Sequence, residues 1–265
     1  MDISGVVPLL DEAESLRELY KRIDGALSPL GRSWEVVFIN DGSTDSSMDV
    51  LRELHGEKSN VTVLSFGHNL GKSAALSVGF REAEGEVVFT IDADLQDDPA
   101  EMPAMLELIE SGYALVSGWK KERQDPISKR LPSRIFNAVT AKLSGVRLHD
   151  MNCGLKAYRK DVVKTIRVYG ELHRYTPVLA HWAGFSVTET PVRHHSRQHG
   201  RSKFGAERFL RGFFDLVTVL FLRRYVTRPL HLFGMLGSLL FLAGFASAVY
   251  LTIVKLMGEA IGRRP

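Results

Sequence analysis

The sequence predicts an α/β fold: a mostly parallel sheet with helices on both faces, followed by an interfacial helix and a C-terminal transmembrane helix. Three observations lead there. Short apolar runs alternate with amphipathic helical patterns through the first half of the chain. The first four runs each end in a polar cluster. From Pro229 to Val254, 26 residues pass without a formally charged side chain.

"ISGVVPLL" opens as a strand, and Leu16, Leu19, Tyr20, Ile23 and Leu27 then recur at helical spacing. "WEVVFI", "VTVLSF" and "EVVFTI" read as strands two to four, with helical patterns around 44–55, 71–83 and 99–111. In such sheets ligands bind beyond the carboxyl ends of the strands. The clusters "LLDEAES", "NDGSTDSS", "GHNLGKSAA" and "DADLQDDP" stand at those four ends and would line one crevice. There is no internal repeat and no low-complexity tract. As a helix, the uncharged segment would run about 39 Å at ~1.5 Å per residue. That exceeds the roughly 30 Å hydrocarbon core, so it is expected to cross a bilayer with a tilt. Arg208, Arg211, Arg223, Arg224 and Arg228 precede it, against Lys255, Arg263 and Arg264 after it, which places the N-terminal body on the cytoplasmic side.

The net charge of +3 conceals an asymmetry, because Arg193 to Arg228 hold nine Lys/Arg against two Asp/Glu. An acidic body joined to a basic strip suggests that the strip meets phosphates or a lipid surface. A nucleic acid would explain the strip but not the adjacent membrane helix, and none is expected. The single Cys153 excludes an intramolecular disulfide and a cysteine-based zinc cluster, and reads as a small packing residue. The chain starts directly on a strand-like run, so no cleavable signal peptide is expected.

"DADLQDD" packs four aspartates into seven residues, which costs free energy unless a cation sits among them. Asp92 and Asp94 are two apart and in an extended segment would point the same way, with Gln96 adding a neutral oxygen. Hard oxygen ligands of this kind suit Mg²⁺ or Mn²⁺. The bland alternative is a solvated acidic loop, and Asp97 and Asp98 fit that part as caps of the helix after Pro99. "NDGSTD" is also good turn and cap chemistry. "GHNLGKS" is not a phosphate loop of nucleotide hydrolases, since Gly67 and Gly71 enclose three residues where four are needed. Lys72 can still meet a phosphate at the start of its helix. His194, His195 and His199 lack a nearby acidic partner in the sequence, so a second metal cluster is not expected there. Trp34 and Trp182 read as core or interface.

Taken together, "PLLDE", "NDGSTD" and "DADLQ" resemble glycosyltransferase family 2, whose catalytic domain has the nucleotide-diphospho-sugar-binding fold called GT-A. "NLGKSAAL", "DMNCGLKAYRKDV", "HRYTPVLA" and "RQHGRSKFG" are similar to its polyprenyl-phosphate branch, which includes dolichol-phosphate mannose synthase. The resemblance implies a GT-A domain over residues 1–205, an amphipathic helix at the membrane surface over 206–228, a transmembrane helix over 229–256, and a tail over 257–265. It departs at Asn40, where many relatives carry the first of two aspartates, and in stopping where relatives often enter a second membrane helix.

The implied reaction is inverting transfer of a sugar from a nucleotide diphosphate to a polyprenyl phosphate. Pro8, Asp11, Glu12, Asp41, Lys72 and Asp92 would meet the donor, and Asp94 with Gln96 and Asp92 would hold the metal. Asp150 would position acceptor or sugar, alongside Asp92 and Asp94 in the catalytic set. Lys129, Arg130, Ser133, Arg134, Arg197, Ser202 and Lys203 would grip the acceptor phosphate. The resemblance points first to UDP-glucose, with mannose from GDP-mannose and an aminoarabinose-type sugar left open, and to undecaprenyl phosphate, a bacterial inner membrane with the catalytic domain in the cytoplasm, and a homo-oligomer such as a tetramer. A processive polysaccharide synthase would carry Gln-x-x-Arg-Trp, but after Gln198 and Arg201 comes Ser202. A non-catalytic sugar-nucleotide sensor is disfavoured by the intact acidic cluster.

Overall fold

The computed structural model describes residues 1–121, 140–142, 144–195, 218, 221 and 229–258. The chain divides into two units, Met1–Asp215 and Leu216–Pro265.

In the first unit the four expected strands form as β1 (Ile3–Leu9), β2 (Trp34–Asn40), β3 (Val61–Ser65) and β4 (Val87–Thr90). Helices α1 (Leu16–Leu27), α2 (Ser47–Glu57) and α3 (Lys72–Glu82) join them, and α4 (Met102–Glu110) follows after a short turn of 3₁₀ helix at Pro99–Glu101. Beyond lie β5 (Leu115–Trp119), β6 (Lys156–Arg159), α5 (Lys160–Thr165), α6 (Thr176–Trp182) and β7 (Val187–Pro191). The sheet has seven strands in the order β3-β2-β1-β4-β6-β5-β7. Pairings β1–β2, β1–β4, β2–β3 and β5–β7 are parallel, whereas β6 runs antiparallel to both β4 and β5.

Strand β1 is buried along its whole length, as a central strand covered on both faces must be. Successive side chains go to opposite faces. Val7, Val36 and Phe38 join α1, α2 and α4 in one core cluster through Leu16, Leu51 and Leu106. Val6, Val37 and Ile39 join α3 and α5 in another through Leu76, Phe80 and Val162. Every residue of the apolar stripe read for α1 is buried.

In the second unit α7 (Pro229–Leu256) is one continuous 28-residue helix with a mean hydropathy of 2.0. It is apolar all round, with Leu230, Leu240 and Phe241 exposed. Two of its hydroxyls bond within the helix, Ser247 donating to the Ala243 carbonyl at 2.9 Å and Thr252 to that of Ala248 at 2.8 Å. Length and composition make it a candidate membrane span. The amphipathic helix expected over 206–228 lies, apart from Thr218 and Phe221, outside the described residues.

Candidate active site

The carboxyl ends of the parallel strands do gather the polar clusters, and side-chain to backbone bonds stitch them together. Asp11 has φ +50. Its N–H donates to Ser43 Oγ at 2.9 Å, and its Oδ1 accepts from the Thr44 N–H at 2.8 Å. The Glu12 N–H donates to Ser47 Oγ at 3.0 Å. These bonds fasten the loop after β1 to the loop after β2. At Gly42, with φ +74, a Cβ would stand 2.4 Å from the His68 carbonyl carbon, so only glycine lets the second loop touch the third. Asp41, buried, closes that joint by accepting from the N–H groups of Leu70 at 2.7 Å and Gly71 at 3.0 Å.

The acidic cluster follows β4. The extended conformation expected for Asp92 to Asp94 is not what forms. The strand ends at Thr90, residues 93–94 turn, and Leu95 takes φ +60. The consequence read from the extended form nevertheless holds in the burial: Ala93 and Leu95 point into the core, while Asp92, Asp94 and Gln96 stay half-exposed. Asp94 Oδ1 accepts from the Gln96 N–H at 3.2 Å. Gln96 spends an amide N–H on the His195 carbonyl at 3.4 Å, and its amide oxygen is an acceptor that could hold a cation. Asp92 forms an ion pair with Lys72, so those two residues meet each other across the mouth of the crevice.

Asp98 caps as expected, accepting from the Ala100 N–H at 3.0 Å. Asp97 does not, and that expectation is corrected. It is buried, with Lys120 Nζ 2.8 Å from its Oδ1 and His194 Nδ1 at 3.9 Å. The ammonium approaches outside hydrogen-bond geometry, which leaves both Asp97 oxygens without a hydrogen bond among the described residues. Burial alone would raise the Asp97 carboxyl, but Lys120 and His194 outweigh it and hold it well below the usual carboxylate range. The histidines also gain the acidic partners that the sequence did not offer them. His194 bridges to Asp97, and His195 Nε2 lies 3.2 Å from Asp98 Oδ2.

The opposite wall comes from the segment leading into β6. Gly154 is packed so closely that a Cβ would stand 2.7 Å from Asp92 Cγ and 2.8 Å from Asp97 Oδ2. Its carbonyl accepts from Thr90 Oγ1 at 2.9 Å. Asp150 is buried, and its Oδ1 accepts from the Asn152 N–H at 3.2 Å. Cys153 is a buried core residue, as expected. Lys156, absent from the sequence-derived set, is buried on this wall, and burial pulls its ammonium below the ordinary lysine value. The lysine stands inside "LKAY", but the sequence alone does not show that this segment is buried. His173, also unread, faces the crevice and lies 3.0 Å from Ser73 Oγ through its Nδ1. Pro8, Lys72, Asp92 and Asn152 also line the crevice. Lys129, Arg130, Ser133, Arg134, Arg197, Ser202 and Lys203 lie outside the described residues, as does His199. Trp34 packs against Tyr20, and the Trp182 indole donates to the Ser144 carbonyl at 3.0 Å.

A family model described as glycosyl transferase family 2 matches residues 4–167. A dodecaprenyl-phosphate galacturonate synthase of Rhizobium johnstonii is 35% identical over 271 residues, covering 100% of this chain and 80% of that relative. An undecaprenyl-phosphate 4-deoxy-4-formamido-L-arabinose transferase of Pseudomonas aeruginosa is 37% identical over 255 residues, covering 96% of this chain and 74% of that relative. Among solved structures, glucosyl-3-phosphoglycerate synthase from Mycobacterium tuberculosis superposes with a TM-score of 0.60 at 20% identity, over 84% of this chain and 79% of the other. A mannosyltransferase from Pyrobaculum calidifontis, solved with GDP-Man and Mn²⁺, gives a TM-score of 0.59 at 19% identity, over 83% and 63%. The two superpositions speak for the fold.

Proposed function

The chain belongs to glycosyltransferase family 2, and from that premise we propose that it moves a sugar from a nucleotide diphosphate onto a polyprenyl phosphate held in the membrane. The observation that carries this reading is the match along nearly the whole chain to relatives named as polyprenyl-phosphate sugar transferases. It is supported by the crevice at the strand ends and by the apolar helix that would keep the enzyme beside a lipid acceptor.

The donor lies in the crevice, with Pro8, Asp11, Glu12 and Asp41 on the nucleoside side and Lys72 and Asp92 toward the diphosphate. The residues of the acidic loop fit a divalent cation. Asp92, Asp94 and the Gln96 amide oxygen are hard ligands, and among the described residues no three His, Cys, Asp or Glu form a cage of their own. Two carboxylates and an amide suit an ion that completes its shell with substrate phosphates, as Mg²⁺ and Mn²⁺ do. When bound, such an ion would neutralise charge building on the leaving diphosphate. Asp92, which is paired with Lys72, would be among the residues holding the ion, and the Lys72 ammonium would meet a phosphate oxygen of the donor.

The acceptor phosphate has a second pKa of about 6 and arrives largely ionised, so this chain need supply no general base. An acceptor oxygen attacks the anomeric carbon in line as the bond to the diphosphate oxygen breaks, and the anomeric configuration inverts. Asp150 positions the acceptor or sugar. Lys129, Arg130, Ser133, Arg134, Arg197, Ser202 and Lys203 grip the acceptor phosphate. The finer reading is UDP-glucose as donor and undecaprenyl phosphate as acceptor, at a bacterial inner membrane with the body facing the cytoplasm. The test incubates membranes containing the protein with labelled nucleotide sugars and follows label into lipid. The panel includes UDP-glucose, GDP-mannose, UDP-galacturonate and a 4-formamido-arabinose donor. Lipid-linked product from one donor is expected, and none from any donor would overturn the reading.

A further inference from the structure

We propose that Lys156 is a donor-binding residue, its ammonium taking an oxyanion of the nucleotide sugar on the wall of the crevice facing Asp92. The inference rests on the reading that this crevice receives such a donor. It assigns a ligand contact to a side chain that the sequence analysis did not select.

The topology puts Lys156 there. Strand β6 runs against β4 and β5, pairing Lys156 with Thr90 and with Ser117. Its first residue therefore lies at the edge where the parallel strands have their carboxyl ends. The side chain shares the crevice with Lys72, Asp92 and His173.

The charge balance is what calls for a ligand. Lys156 is 4% exposed. Its ammonium donates to the Cys153 carbonyl three residues away and forms no ion pair with a carboxylate among the described residues. Asp92 and Asp150 act on it only through space. A buried ammonium is costly unless it is paired and fully hydrogen-bonded. One carbonyl leaves two of its three N–H groups to be satisfied. Asp92, the carboxylate across the crevice, is already engaged by Lys72. Among the residues that line the crevice, two ammonium groups thus stand with one carboxylate, an arrangement that favours an anion.

Two parts of a donor can supply the oxyanion: its diphosphate, or a carboxylate on the sugar. In either case the unliganded fold carries a cost that the donor offsets. A purely structural lysine would behave oppositely, because its removal would weaken the fold.

The test uses the full-length protein in detergent with Mg²⁺, as wild type, Lys156→Met and Lys156→Gln. The glutamine variant retains a donor for the Cys153 carbonyl and guards against loss of fold. Calorimetric titrations use UDP, UMP, GDP, GMP, UDP-glucose and UDP-galacturonate, and the melting temperature of each unliganded protein is recorded. Charge-assisted hydrogen bonds of this kind correspond to about tenfold or more in affinity. Both variants are expected to melt at or above the wild-type temperature. If the diphosphate is the partner, they lose about tenfold or more toward the nucleoside diphosphate and much less toward its monophosphate. If the sugar carboxylate is the partner, the loss falls on UDP-galacturonate relative to UDP-glucose. Unchanged affinities, or a lower melting temperature with equal losses for mono- and diphosphates, would overturn the assignment. A wild type that binds no nucleotide would overturn both this inference and the function on which it rests.

Discussion

Asn40 stands at the position where the sequence departs from the first of two aspartates that the resemblance implies, and its bonds show what the amide does there. Its Nδ2 donates to Ser65 Oγ at 3.1 Å while its Oδ1 accepts from the Ser43 N–H at 3.0 Å. The amide thus joins the loop after β2 to the end of β3 without adding a second negative charge beside Asp41. Asp41 beside it remains as the acid of the pair. Gly154 shows the same economy of space, and it yields a prediction. In Gly154→Ala the new methyl group would push on both Asp92 and Asp97. Overpacking of this kind costs about 1–3 kcal/mol, so thermal unfolding should shift modestly while turnover falls by an order of magnitude or more. Wild-type turnover in a folded variant would detach Asp92 from the chemistry. Asp94→Asn asks a cleaner question, because an amide oxygen can still accept the Gln96 N–H bond that shapes the turn. The fold should persist, most turnover should vanish, and EDTA should silence the wild-type protein. Activity that ignores both changes would remove Asp94 from the metal site. Asp92, Asp94 and Gln96 could be singled out from residue type and spacing alone, because such oxygen donors are what a hard cation takes. Lys156 and Asp97 could not, since their significance lies in being buried, and burial is decided by chain segments far away in sequence.

At the scale of elements, the loop from Asp92 to Asp98 is held from outside by the short segment 193–195. The His195 N–H donates to the Gln96 carbonyl at 2.8 Å, and the His195 ring reaches Asp98. In sequence the segment leads directly into "RQHGRSK", three of whose residues are proposed to grip the acceptor phosphate. The anchor beneath is Asp97 with Lys120, and its contribution can be measured. Replacing Asp97 by Asn would leave the mostly buried Lys120 ammonium without its counter-charge, a change of about 3–5 kcal/mol. The pH dependence follows from the sign of the shift. The folded Asp97 carboxyl is held below its unfolded value, so its stabilisation is fully present above about pH 4, the unfolded carboxylate value. It is lost as pH falls toward the depressed folded value. Denaturant unfolding should therefore separate wild type from Asp97→Asn widely at neutral pH and by a smaller margin in acid. A gap of constant size across that range would show that the ion pair is not its source.

For the whole molecule, strands β1 to β4 were legible because each is a compact apolar run closed by turn residues. Strands β6 and β7 were not, because "KAYR" and "VTETP" carry charges and owe their strand conformation to partners on either side. Helix α7 was the most legible element, since a long and uniformly apolar run already reads as a candidate membrane span. The division of labour between the two units can be tested by truncation. Both core clusters draw all their residues from Ile3 to Val192, so a chain ending before Pro229 keeps every side chain that packs the sheet. That body should fold and bind nucleotide sugar with an affinity close to that of the full chain. Its use of a long polyprenyl phosphate should fall sharply, because the lipid stays in the bilayer and α7 no longer holds the crevice near it. A short water-soluble prenyl phosphate should recover much of the lost rate, because it needs no membrane to reach the crevice. The comparison is turnover on long and short acceptors for both proteins, with carbonate extraction of the full chain from membranes as the control. Release of the full chain by carbonate, or equal use of the long acceptor by the truncated body, would show that α7 does not deliver the enzyme to its lipid.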